Sequence, residues 1–202
     1  MRKKSEIKRN AILDAATEIF RQEGFERASM SEICARVGGS KATLYNYFSS
    51  KEELFFEVMF RSAKSQIAAN HQLLDPETDD VAETLRRFGI GALTSFYAPE
   101  ALAARRIVIA ESIRSGLGKQ FYARGPQHGQ AIVSGFMEVA MQKGKLRQAD
   151  PVIAAQHLRA LLDAELVDRF VFHLSDSFSK EEIRGAVERG VGVFMAAYGP
   201  RI

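Results

Sequence analysis

An all-α fold is predicted by three features of the sequence. Apolar residues recur three and four apart along most of the chain, the spacing of one face of a helix. Helix-capping pairs of the form Ser-x-x-Glu stand ahead of several of these runs. No stretch of useful length alternates apolar and polar residues as a half-buried strand would.

The elements follow in order. Ile12, Ala16, Ile19 and Phe20 form a helical stripe, and Gly24 supplies a stop with Phe25 to pack behind it. Ser29 and Glu32 in "SMSE" form a capping box for a short second helix that buries Ile33 and Val37 and ends at Gly38-Gly39. Ser40 caps a third helix over roughly residues 41–47. "SKEE" repeats the box, with Ser50 as cap, and opens a long fourth helix to about residue 70. "LLDPETDD" at 73–80 breaks the pattern. Beyond it the spacing predicts helices near 79–97, 99–115, 120–143, 151–174 and 180–198. Ala98-Pro99, Asp150-Pro151 and the box from Ser179 to Glu182 mark three of the starts.

A chain of 202 residues accommodates one or two domains and a proper core. The one cysteine, Cys34, excludes an intramolecular disulfide and a cysteine-built zinc cage. No run approaches the roughly 20 apolar residues of a membrane span, so no membrane partner is expected and the address is cytoplasmic. His71, His128, His157 and His173 lack metal-ligand spacing, and no catalytic constellation stands out. No metal, cofactor or enzymatic activity is therefore expected. Charge is unevenly placed: residues 1–51 hold 10 Lys/Arg and 6 Asp/Glu out of totals of 28 and 25. The positive excess sits where a polyanion would dock.

Three helices in some 45 residues, with a glycine turn between the second and third, form a helix-turn-helix unit. The third helix of such a unit enters the major groove. Leu44 and Phe48, four apart, face inward and leave Lys41, Thr43, Asn46 and Tyr47 outside, with Tyr45 at the margin. Hydroxyls and lysines suit phosphates, and Asn46 suits an adenine edge or a phosphate. Ala42 brings a methyl to the groove. The DNA-contact set is thus Ser29, Ser40, Lys41, Ala42, Thr43, Tyr45, Asn46, Tyr47 and Lys51, the last reaching a phosphate from the start of the fourth helix. Arg2, Lys3, Lys4, Lys8 and Arg9 form either a phosphate-tracking arm or a solubilising tail.

The run "AILDAATEIFRQEGFERASMSEICARVGGSKATLYNYFSSKEELF" resembles the DNA-binding domain of the TetR family of bacterial regulators. It departs from the family pattern at Gly39, where Val or a similar residue is usual, at Ala42, where Gly is frequent, and at Cys34, which replaces Ala. "RRIVIAESIRSGLGKQFYARGPQHG" resembles the AefR-like branch of that family. The resemblance implies residues 1–50 as the DNA-binding domain and 51–202 as a helical ligand-binding and dimerisation domain. It further implies double-stranded operator DNA as partner, a small apolar or amphipathic effector, and release of a repressor from a palindromic operator. A helix-turn-helix protein that binds DNA or a protein partner without an inducer is the alternative.

Met59, Phe60, Phe88, Phe96, Phe121, Tyr122 and Phe136 are either core or the lining of the effector cavity that the resemblance implies. Arg106, Glu111 and Asp163 either orient a ligand there or form internal ion pairs. The last two helices have apolar stripes too wide for surface helices. Gly185, Gly190 and Gly192 suit the close approach of another helix, and Val187 and Phe194, seven apart, lie on one stripe. A homodimer through a four-helix bundle is expected from this pairing, with Val187 and Phe194 at its interface.

Overall fold

The computed structural model describes residues 2–175 and 177–200, with side chains from residue 5 onward. Among the described residues all regular structure is helical. The helices are α1 (Arg2–Arg27), α2 (Met30–Val37), α3 (Lys41–Tyr47), α4 (Lys51–His71), α5 (Val81–Phe96) and α6 (Pro99–Glu111). They continue as α7 (Leu117–Arg124), α8 (Pro126–Gln142), α9 (Pro151–Asp163), α10 (Val167–Val171) and α11 (Lys180–Tyr198). The chain divides into two compact units, one of residues up to Lys64 with Ala104–Gly118, the other of Ser65–Ala103 with the chain from Lys119 onward. By compactness the division therefore falls inside α4, α6 and α7, further along than the motif boundary at residue 50.

The first unit packs Ile12, Leu13, Ala16, Ile19 and Phe20 of α1 against Ile33 of α2, Leu44 of α3 and Leu54, Phe55 and Val58 of α4. α1 is kinked at Gly24, whose φ of 76° stops the helix as its position predicts. The chain then folds back so that Phe25 and Phe20 both lie on Phe55, each with ring centroids 5.0 Å away. Phe55 is therefore part of this core. Glu57, 8% exposed, is matched by Arg9 at 2.6 Å, an ion pair that offsets the cost of burying the carboxylate.

The second unit is built on α11, which packs against α9 and α5, while α8 packs against α9. Leu85, Phe88, Phe136, Met137, Leu158, Leu162, Val187 and Phe194 fill its centre. Asn70 is buried there, its side-chain amide donating to the Phe88 carbonyl at 3.2 Å. The approach of α11 to α9 depends on Gly190, because a Cβ at that position would lie 2.8 Å from the Leu161 carbonyl oxygen. Gly190 thus serves a contact within the chain. Val187 and Phe194, expected at a dimer interface, are both 0% exposed in this core. The wide stripe is explained by two neighbours, α9 and α5, within one protomer.

Two predicted helices are divided. The helix expected near 120–143 is α7 and α8, separated at Gly125-Pro126, where proline lacks the N–H that would continue the ladder. The helix expected near 151–174 ends at Asp163, turns through residues 164–166 and resumes as α10. The helix near 99–115 stops at Glu111. The box ahead of α11 is formed on both sides, Ser179 Oγ accepting from the Glu182 N–H and the Glu182 carboxylate from the Ser179 N–H. That main-chain bond, with the Arg169 guanidinium, brings the Glu182 pKa down to about 2.

Replacing Val187 by Glu is expected to cost several kcal/mol through an unpaired buried charge, and thermal denaturation followed by circular dichroism should show loss of the folded chain. Gly190→Ala is expected to lower the melting temperature despite alanine's greater helix propensity. Gly135→Ala in α8, where the added methyl meets open space, should instead stabilise by up to about 1 kcal/mol. His71 lies stacked on Phe88 with ring centroids 6.3 Å apart, and burial and then the neighbouring His128 hold its pKa below the ordinary histidine value. The unfolded chain therefore takes up this proton first. Stability should fall as pH drops from about 7 to about 5, and His71→Gln should reduce that slope in urea titrations.

Candidate nucleic-acid interface

α3 is held in place by its ends and by one face. At its start Ser40 Oγ accepts from the Thr43 N–H at 3.1 Å and lies 2.9 Å from the Thr43 hydroxyl. Leu44 and Phe48 are 3% and 1% exposed, which fixes the rotation of the helix about its axis. Lys41, Ala42, Tyr45 and Asn46 are exposed, and Thr43 and Tyr47 are half-buried. Tyr47 also packs on the unit's core. Of the residues predicted to face outward on α3, Lys41, Tyr45 and Asn46 are exposed, while Thr43 and Tyr47 are only partly so. Lys41 makes no hydrogen bond or ion pair with any described residue, so its charge is free to meet an anion.

The turn before α3 is pinned from two sides. Gly38 and Gly39 have φ of 67° and 153°, conformations that a residue with a Cβ adopts only under strain. The glycine at 39, unusual against the family pattern, is suited to this backbone. Lys8 Nζ donates to the Gly38 carbonyl at 2.6 Å, and the Cys34 thiol donates to the Gly39 carbonyl at 3.2 Å. Cys34 is buried in this position.

Lys51, expected on DNA, and Lys8 and Arg9, read as either a phosphate-tracking arm or a solubilising tail, are used inside the unit. Lys51 donates to the carbonyls of Phe25, Glu26 and Ala28 at 2.9, 3.3 and 3.2 Å, and its Nζ lies 4.3 Å from the centre of the Phe25 ring. These carbonyls lie at and just beyond the end of α1 at Arg27, where no helical N–H follows to meet them, and Lys51 supplies the donor. Its expected phosphate contact is thus replaced by a main-chain tie. Lys8 holds the turn, and Arg9 holds Glu57 while lying 5.2 Å over the Phe48 ring. The side chains of Arg2, Lys3 and Lys4 lie outside the described residues. Ser29 caps α2 by accepting from the Glu32 N–H at 3.2 Å. The neighbouring Glu23 carboxyl raises the Glu32 pKa, against the opposing pull of Arg36 and of the Ser29 main chain.

The residues proposed for an effector are shared between the two units. Met59, Phe60, Arg106 and Glu111 belong to the first, where Met59 packs on the core and Phe60 lies 5.9 Å from the Phe56 ring. Phe88, Phe96, Phe121, Tyr122, Phe136 and Asp163 belong to the second. Phe88 and Phe136 are core residues, and Phe96 packs against that core. Asp163 is neither ion-paired nor buried alone: its Oδ1 accepts from the Tyr97 hydroxyl. Tyr122 and Asp163 do meet, lining a hollow of about 270 Å³ with Gln130, Gln156, Arg159 and Ala160. The last four were missed in the sequence. Their signal is the polar row Gln156, Arg159 and Asp163 running beside the apolar face of α9, at spacings of three and four.

Known proteins are similar to this chain in both halves. Residues 12–58 match the family described as bacterial regulatory proteins, tetR family. Residues 83–200 match the AefR-like transcriptional repressor, C-terminal domain. A structure described as a TetR-family transcriptional regulator from Mesorhizobium loti superposes with a TM-score of 0.81 at 29% identity, covering 96% of this chain and 98% of that one. The flavonoid-responsive regulator FrrA superposes with a TM-score of 0.70 at 32% identity, covering 98% of this chain and 100% of its own. The transcriptional activator FasR of Mycolicibacterium smegmatis is 40% identical over 73 residues, 36% of this chain. That match spans only 33% of FasR. With an exposed hydrogen-bonding face on a buried and capped α3, and both family matches in sequence order, the chain belongs to the TetR family of DNA-binding transcriptional regulators.

Proposed function

We propose that the protein is a cytoplasmic repressor that holds a palindromic operator as a homodimer and releases it when a small ligand binds. Residues 1–50 supply the DNA contacts and 51–202 the ligand site and dimer contact. The observation that carries this reading is the α3 surface, where Lys41, Thr43, Tyr45 and Asn46 stand together with Ala42 on a helix anchored by Leu44 and Phe48. Lys41, Ser40 and the two tyrosines meet phosphates, and Asn46 and the Ala42 methyl meet base edges. Ser29 lies at the start of α2, placed to add a phosphate contact. The repressor description of the C-terminal family supports the direction of control. FasR, an activator, supports the opposite sign, which an operator-reporter assay with and without the protein distinguishes.

The responsiveness of FrrA to flavonoids makes polyphenols the first effector class to test. A second copy is expected to cover the outer stripe of α9 and α11, in place of the buried Val187 and Phe194. Val152 and Ile153 are 45% and 42% exposed there, Val193 is 54% exposed, and Gly192, Ala196 and Ala197 lie beside it on α11. Two reading helices on one face of DNA must stand about 34–36 Å apart, which such a pairing has to provide.

Selection of bound sequences from a random duplex library is expected to recover a palindrome; recovery of no preferred sequence would sink the operator reading. On that operator Lys41→Ala should weaken binding and reduce the log–log salt slope by about one. Lys51→Met should lower the melting temperature instead, through the loss of three carbonyl contacts. Val193→Asp with Ile153→Asp should shift the sedimentation coefficient from dimer to folded monomer, and a dimer that survives both changes would place the interface elsewhere.

A further inference from the structure

We infer that Ala42 sets the base preference of the operator by packing its methyl on the C5-methyl of a thymine, with Asn46 pairing an adenine within two base pairs of it. This inference rests on the operator reading above and names the bases that α3 selects. The family pattern frequently has Gly where Ala42 stands, so the thymine contact belongs to a residue particular to this chain.

The packing of α3 narrows the side chains that can reach the floor of the groove. Leu44 and Phe48 are buried in the core, and Tyr47 is half-buried against it. Thr43 is turned back on the cap, its N–H donating to Ser40 Oγ at 3.1 Å and its hydroxyl 2.9 Å from the same oxygen. Lys41, charged and free of any described partner, suits a phosphate. Ala42, Tyr45 and Asn46 are left, all exposed. Residues three and four apart share a helical face, so these three form one patch. Tyr45 is long enough to reach the strand bordering the groove, and Ala42 and Asn46 then meet the bases. The Asn46 carboxamide makes no hydrogen bond with any described residue.

The shortness of both side chains fixes what they read. An asparagine touches a base edge only when its helix lies deep in the groove, and a bulkier residue one turn away at position 42 would hold the helix off. Alanine offers no hydrogen bond, and the thymine methyl is the apolar group that a base pair presents in the major groove. The asparagine carboxamide both donates and accepts, matching N6 and N7 of adenine. Four residues of helix rise about 6 Å, close to two base steps of about 3.4 Å each, which sets the spacing of the two bases.

The test uses the operator that the full chain selects from random duplexes. Each thymine of one half-site, on either strand, is replaced in turn by uracil, which lacks only the methyl. In the parent one such replacement is expected to weaken binding about three- to fivefold, the effect of burying one methyl. Ala42→Gly is expected to bind the thymine and uracil operators equally. The ratio is taken within each variant, so a less stable helix in Ala42→Gly leaves it readable. Asn46→Ala is expected to lose about tenfold of the preference for adenine at a position within two base pairs of that thymine, and to keep the uracil effect. Uracil tolerated at every thymine by the parent, a uracil effect that survives in Ala42→Gly, or an Asn46→Ala variant that weakens all sequences alike would each overturn the inference. A recovered palindrome indifferent to uracil removes the base assignment and leaves the regulator standing. Recovery of no preferred sequence removes both.

Discussion

A seven-residue helix is too short to persist in water by its own hydrogen bonds, and α3 is such a helix. Its capacity to present side chains to DNA depends on burial of Leu44 and Phe48, which ties it to α1 and α4 through one shared core. That burial sets which side chains face outward, and the serine cap and the pinned glycine turn set where the helix begins. Every contact assigned to Lys41, Thr43, Tyr45 and Asn46 rests on this anchoring. A loosely held α3 would lose binding free energy to the ordering of its backbone.

The basic residues of the first unit divide between holding the fold and meeting an anion. Lys51 and Lys8 lie close to main-chain carbonyls that the end of α1 and the turn at Gly38-Gly39 leave without helical donors. A carbonyl left unpaired near the core is costly, and an ammonium with three donors relieves several at once. Arg9 answers the buried Glu57 in the same way. Lys41 has no such demand upon it and retains its charge for a partner. The excess positive charge near the N-terminus is thus partly structural.

In the second unit the decisive contact is the close passage of α11 over α9. Gly190 allows it, at the cost of helix propensity, and Val187 and Phe194 are then drawn wholly inside. With its broad apolar stripe occupied within the protomer, α11 turns outward a narrower row of small residues. The polar row of α9 lines a hollow beside α8, where Asp163 is held by Tyr97.

The all-α class, the helix-turn-helix and the inward pair of α3 were legible in the sequence because each rests on local rules. Leu44 and Phe48 four apart define an inner face whatever lies beneath it, and Ser40 and Ser179 cap whichever helix follows them. The split at Gly125-Pro126 was also a local signal, though the apolar spacing on either side ran across it. Other features depended on which neighbours met. A lysine at the start of a helix has the same letter whether it faces a phosphate or three carbonyls, and the nearness of the end of α1 brings Lys51 to the carbonyls. A wide apolar stripe fits a second subunit as well as two helices of the same chain, and the packing of α5 and α9 on α11 decided for the latter. Asp163, read as a ligand-orienting group or as half of an internal ion pair, accepts instead from the distant Tyr97 hydroxyl. Periodicity and capping act over one or two helical turns, so sequence determined the elements and their faces; the partners of charged and apolar side chains come from segments far along the chain, so tertiary structure determined what those faces meet.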